Sequence, residues 1–199
     1  MKIPNNYDAN STTGWTPVQP GGHKCVIKQV ESKGKDRWGN DALIISFDMD
    51  IDDYQPQYFT NLWTNDKSAD KEWKGMKAYR LDSDYIEMQQ NKFCGAVEAS
   101  NEGIKFVEGE EFPDEKFKGL KVGIVFRGRN YTKGDGSLGY TVDPYYFCNY
   151  DTAFNEKTPD VYDGTKKIET ATATPQLTPS AGFVNVPAGA DETEGLPFR

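Results

Sequence analysis

The chain has 199 residues, a formal net charge of -8 and a mean hydropathy of -0.75. That length suits one domain with appendages, and such low hydropathy implies that part of the chain is too polar to pack. The acid excess argues against nucleic-acid binding by bulk charge. A single histidine, His23, leaves almost no room for a His-based zinc site or a Ser-His-Asp triad, and no run of about 18 apolar residues is present to span a membrane.

In chain order, residues 1–19 are polar with two isolated aromatics, Tyr7 and Trp15, and are expected to form an extended arm. They lack the apolar core of a signal peptide. Together with three cysteines (Cys25, Cys94 and Cys148) and no CxxC pair, this implies reduced thiols in a cytoplasmic protein. Pro20-Gly21-Gly22 is a turn signal that opens the ordered body, and residues 23–30 (HKCVIKQV) read as a first strand. Residues 42–51 alternate as a second strand, with Leu43, Ile45, Phe47, Met49 and Ile51 on one face and Ile44, Ser46, Asp48 and Asp50 on the other. The aromatic run 58–63 (YFTNLW) reads as a third strand. Residues 66–110 read as helical: Ser68 would cap a first segment holding Trp73, Met76 and Tyr79, and Asp84 with Glu87 forms a capping box for a second. Residues 120–131 alternate as a fourth strand. Lys133-Gly134-Asp135-Gly136-Ser137 is a hairpin turn, and residues 139–148 return as a fifth strand. From 151 onward the Thr-, Ala- and Pro-rich composition predicts a disordered linker and tail (151–199), its apolar surface too small to offset ordering entropy.

Three strands, a helical excursion and a two-stranded hairpin give the order of a five-stranded oligonucleotide-binding (OB-fold) barrel over residues 20–150. The helical insertion falls between strands 3 and 4, so the fold class is mainly β; a generic α+β sandwich would alternate similarly. An OB-fold carries single strands across strands 2 and 3, flanked by the loops joining strands 1–2 and 4–5. The first of these loops offers Lys33, Lys35 and Arg37 to track phosphates and Trp38 to stack on a base. Alternation sets Arg127, Arg129 and Tyr131 on one face of the fourth strand, and Lys133 continues them into the 4–5 loop; arginine both pairs with phosphate and stacks on bases. Tyr58, opposite Phe59 and Trp63 on the third strand, is a further stacking candidate, while Tyr140, Tyr145 and Tyr146 are ambiguous between core and surface. Each patch also has a bland reading, as a solvated hairpin tip or an edge strand blunted by charge. Residues 1–150 carry 23 acids and 19 bases, so affinity would have to come from stacking and from cations gathered locally.

A rival lies in Asp48-Met49-Asp50-Ile51-Asp52-Asp53, where Asp48 and Asp50 on one strand face would hold Mg²⁺ in a nuclease or resolvase. No lysine follows at nuclease-like spacing, and both positions suit a solvated strand face. Gly134-Asp135-Gly136 lacks the Gly-Lys-Ser/Thr of a P-loop. Neither catalytic residues nor a metal or cofactor is expected. A third reading is a non-enzymatic adaptor whose body binds protein.

The stretch Pro20-Gly21-Gly22-His23-Lys24-Cys25-Val26-Ile27-Lys28-Gln29-Val30-Glu31, then Ala42-Leu43-Ile44-Ile45-Ser46-Phe47-Asp48 and Lys118-Gly119-Leu120-Lys121-Val122-Gly123, resembles phage proteins found among replication and recombination genes. The resemblance covers most of residues 20–150 and implies an OB-fold protein that coats single-stranded DNA in an infected bacterial host. The last residues, Asp191-Glu192-Thr193-Glu194-Gly195-Leu196-Pro197-Phe198-Arg199, resemble the tip of bacterial and phage single-stranded DNA-binding proteins. That likeness implies that Asp191, Glu192 and Glu194 meet a basic rim on a replication or recombination partner, while Leu196, Pro197 and Phe198 enter its pocket. Arg199 departs from the pattern, because the family tip usually ends in Phe. The sequence leaves homo-oligomer formation open.

Overall fold

One long strand organises the fold. β1 (Gly21–Lys35) pairs antiparallel with β2 (Asp41–Met49) from Cys25 onward and with β4 (Lys121–Thr132) over its first residues. Bulges between Ile27 and Gln29 and between Glu31 and Gly34 bend β1 so that it serves both partners. β3 (Met76–Arg80) lies outside β2 and β5 (Leu138–Cys148) outside β4, giving the order β3-β2-β1-β4-β5. A two-residue strand, β6 (Tyr162–Asp163), runs parallel to β4. This computed structural model describes residues 17–165, and they form a mainly β chain: a six-stranded open sheet with two helices, α1 (Tyr58–Asn65) and α2 (Ile86–Ser100).

The alternation read in strands 2 and 4 is the one the core uses. Leu43, Ile45, Phe47 and Met49 of β2 pack with Val122, Ile124 and Phe126 of β4, with Cys25 and Ile27 of β1, and with Phe93 and Val97 of α2. Full burial of each large side chain contributes about 1.5–3 kcal/mol. Burial pushes the Cys25 thiol well above its ordinary value, with Asp53 and Asp48 adding to the effect, and pushes Cys148 up to about 12. All three cysteines are free thiols. His23 is buried too, its Nδ1 3.1 Å from Asp53 and its Nε2 2.9 Å from the Gln19 carbonyl, which ties the start of β1 to the turn after β2.

Three predicted elements come out differently. Residues 58–63 are not a third strand but the start of α1. Aromatic runs this short fit either period, and here Asp48 decides: its carboxylate accepts from the Phe59 N–H at 2.9 Å, the Thr60 N–H at 3.3 Å and the Thr60 hydroxyl at 2.5 Å, anchoring the first helical turn. The third strand is instead β3, where a Ser68-capped helix holding Met76 and Tyr79 is predicted. Its residues pair with Ala42–Ser46 of β2, and the preceding Gly75 approaches β2 so closely that a Cβ there would lie 2.3 Å from the Phe47 carbonyl oxygen. Sheet pairing overrides local helical spacing. The third difference is at the start of α2: it begins at Ile86 without the Asp84 box, and the Ser83 hydroxyl accepts from the Tyr85 N–H at 3.3 Å. Its far end is pinned by Asn101, which exchanges hydrogen bonds of 2.9 and 2.8 Å with the backbone of Lys121.

The packed chain also runs beyond the expected boundaries. Val18 belongs to the core cluster although it falls in the predicted arm. The composition shift at residue 151 does not end the fold, since Ala153 is fully buried against β1 and β4. Ile51, expected on the core face, is 75% exposed in the turn after β2. Among the described residues no helix is long and apolar enough to cross a membrane.

Candidate functional site

The bend at the end of β1 delivers Lys35 to a tight loop, residues 36–40, that Asp36 holds together. Its carboxylate accepts from the Trp38 N–H and the Asn40 N–H, both at 2.9 Å, and from the Asn40 amide. Desolvation works to raise this carboxyl, but the hydrogen bonds from Asn40 and Trp38 prevail and hold it below its ordinary range. With Asp36 fixing the loop backbone, Trp38 projects outward. It is 70% exposed, with the Arg37 guanidinium 4.0 Å from its ring centre. A large aromatic turned to solvent and stacked with arginine is a preformed platform for another planar ring.

Trp38 stands at one end of an open groove of about 640 Å³. The outward faces of β2 and β3 supply its floor (Ile44, Met76 and Ala78), and Trp73 from the segment before β3 forms a wall. The Trp73 indole is locked by its N–H, which donates to the Gly75 carbonyl at 2.9 Å. Across the groove stand Arg129 of β4 and Asp143 and Pro144 of β5, and these three also line a small recess holding Arg127 and Tyr145. Part of each cationic patch predicted from sequence, Lys35, Arg37 and Trp38 of the first and Arg127 and Arg129 of the second, therefore lies on one continuous surface. Lys35, Arg37, Lys77 and Arg129 contribute positive charge to the groove, against Asp36, Glu72 and Asp143.

Two features of β5 shape the far end. A bulge opposite Val125 and Phe126 leaves Tyr145 without a β4 partner, and its ring, 43% exposed, lies 4.1 Å from the Arg127 guanidinium. Tyr162 of β6 covers the same guanidinium at 5.0 Å. Arg129 stands near the Tyr131 ring and donates to Asp143 at 2.6 Å.

Lys77 spans the gap between the ends of the sheet. Its ammonium donates to the Pro144 carbonyl at 2.7 Å, linking β3 to β5 where the described residues form no backbone ladder. Burial lowers its pKa to about 8; Arg127 adds to the shift and Asp143 opposes it.

Of the residues expected to bind, Lys35, Arg37, Trp38 and Arg129 meet in the groove, and Arg127 adjoins them. Tyr131 covers Gly139 on the β4–β5 hairpin, and Lys133 is exposed at its turn. Lys33 points instead into a separate depression with Asp41, Leu81 and Asp82. Tyr58 is the clear correction: it is 8% exposed on α1, packed against Phe59, and takes no part in the groove. Lys35 is not free, since it pairs with Asp41 at 2.6 Å. Sequence reasoning misses Trp73, Met76 and Lys77 because local spacing puts them in a helix, and Tyr162 because composition puts it in a linker. The aromatic in a polar Val161-Tyr162-Asp163-Gly164 segment was the available signal.

The rival carboxylates have structural partners. Asp48 is fully buried, not solvated, and both its oxygens serve α1. Asp50 accepts from the Tyr150 hydroxyl at 2.8 Å and from the Ile51 N–H at 2.7 Å. Asp191, Glu192, Glu194, Leu196, Pro197 and Phe198 lie outside the described residues. No protein family matches the chain, and no curated protein is similar to it.

Proposed function

We propose that this chain binds single-stranded DNA in the groove between Trp38 and Arg127, without catalysis and with little sequence preference, and that its sheet is an opened OB-type barrel. The supporting observation is an exposed Trp38–Arg37 stack and an Arg127–Tyr145–Tyr162 stack at the two ends of one surface floored by Ile44 and Ala78. Rings set along a channel with a few cations suit unpaired bases, whose faces are accessible, and not duplex, whose bases are already stacked. The element order agrees with the barrel reading: β1 is shared by β2 and β4, α2 falls between β3 and β4, and Lys77 links β3 to β5. In this reading the chain sheathes unpaired strands during phage replication or recombination, and the acidic Leu-Pro-Phe terminus recruits a partner protein.

The test is an electrophoretic mobility shift with a labelled oligonucleotide against unlabelled single-stranded and duplex competitors. Single strands should compete and duplex should not; equal competition by duplex defeats the proposal. Trp38→Ala should cost about 1–3 kcal/mol of binding while leaving the thermal midpoint unchanged, because that ring supports nothing in the fold.

A further inference from the structure

A second groove, of about 730 Å³, shares no lining residue with the first. It opens where α2 and the segment after it cover one end of the core. Phe93, Phe106, Phe112 and Phe117 form its apolar side, a set of rings in which contacting neighbours have centres 4.7–5.7 Å apart. Phe93 and Phe117 are buried, whereas Phe106 and Phe112 are half-buried at the opening. The rim belongs to Glu108 and Glu110, with Val107 exposed beside them, and exposed Asn91 of α2 lines the same groove. Residues 107–115 hold five acids and no base. Among the described residues neither Glu108 nor Glu110 has a salt-bridge partner, while Asp114 is occupied by the Ser32 N–H and hydroxyl.

We propose that this groove docks a basic, apolar-studded segment of a partner protein, its hydrophobic side chains over the phenylalanines and its lysines or arginines against Glu108 and Glu110. Charge selects that occupant. Nucleic acid is repelled by an uncompensated acidic rim. So is the chain's own terminus, in which Asp191, Glu192 and Glu194 precede Leu196. A second copy is disfavoured for the same reason, since a twofold contact sets identical patches together and would place acid on acid. An amphipathic basic segment satisfies both the floor and the rim, as in other helix-in-groove docking.

The experiment uses the full chain and a short fluorescein-labelled peptide with Leu or Phe at i, i+3, i+4 and i+7 and Lys elsewhere, beside a scrambled peptide of the same composition. Fluorescence anisotropy should show the amphipathic peptide binding at least about tenfold tighter than the scrambled one, the margin expected of a groove with anchoring pockets and not of charge alone. Asn91→Trp, which fills the groove from an exposed helix position, should remove that margin, and the pair Glu108→Lys with Glu110→Lys should weaken both peptides by at least about tenfold, each at an unchanged thermal midpoint. Equal binding of both peptides, or undiminished binding by Asn91→Trp, overturns the proposal. So does concentration-dependent self-association that Asn91→Trp abolishes, because the groove would then belong to a second copy. Neither readout depends on DNA binding, so failure here is separable from failure of the groove bearing Trp38.

Discussion

At the scale of single residues, the groove is held partly closed against its proposed ligand by its own charges. Asp143 occupies Arg129 through a 2.6 Å contact that is about half exposed on both sides. A phosphate must displace that carboxylate or share the guanidinium with it. Asp143→Asn should therefore tighten oligonucleotide binding by about three- to tenfold, the effect of removing one repulsive charge beside a retained cation; weaker binding in the mobility shift would mean that Asp143 positions Arg129 instead of masking it. Lys77 gives a pH signature. Its pKa is lowered from 10.5 to about 8 in the fold, so between those values the unfolded chain carries a proton that the folded chain has released. Stability attributable to Lys77 is thus lowest below about pH 8 and rises toward pH 10.5, at up to about 1.4 kcal/mol per pH unit. Urea unfolding across this range should show the rise in the wild type relative to Lys77→Met, whose own curve lacks that component. Parallel curves would place the Lys77 ammonium in solvent.

At the scale of elements, the sequence was legible where one physical demand dominated. The alternation in β2 and β4 is imposed by a single apolar face, and the Lys133–Ser137 turn by local backbone chemistry, closed by a 2.8 Å hydrogen bond from the Lys133 N–H to the Ser137 carbonyl with Gly136 at φ 83°. It was illegible where a distant group decided. Nothing between residues 58 and 65 says helix as strongly as the buried carboxylate of Asp48, ten positions upstream of Tyr58, which supplies the missing partners of the first turn. Likewise, Met76–Arg80 becomes a strand because β2 has an unfilled edge beside it. The two basic patches were readable because surface cations and Trp38 stand out from any pattern, whereas Trp73 and Tyr162 gained their places only through β3 and β6. Asp48→Ala tests the first point: losing this buried anchor should cost about 2 kcal/mol or more of stability, seen as a lowered thermal midpoint with loss of α1 order. A preserved midpoint would mean that α1 forms without it and would reopen Asp48 to another role.

At the scale of the whole molecule, a net charge of -8 must coexist with the proposed affinity for a polyanion. Few phosphates are then neutralised, and stacking has to carry more of the binding. With Lys35, Arg37, Arg127 and Arg129 along the path, the slope of log affinity against log salt should be shallow, about -3, since single strands release about 0.7 counterion per contact. A slope much steeper than that would require a cationic surface elsewhere on the molecule. The parallel strand β6 carries a last consequence. Beyond Phe126, β4 no longer has β1 beside it, and Tyr162–Asp163 takes up that vacated flank at Arg129 and Asn130. Shortening the chain to the apparent linker boundary near residue 150 would strip this covering and empty the seat of Ala153 against Gly22. Bare strand flanks recruit one another, so such a shortened form should precipitate or pair edge to edge, and its behaviour would misrepresent the intact molecule.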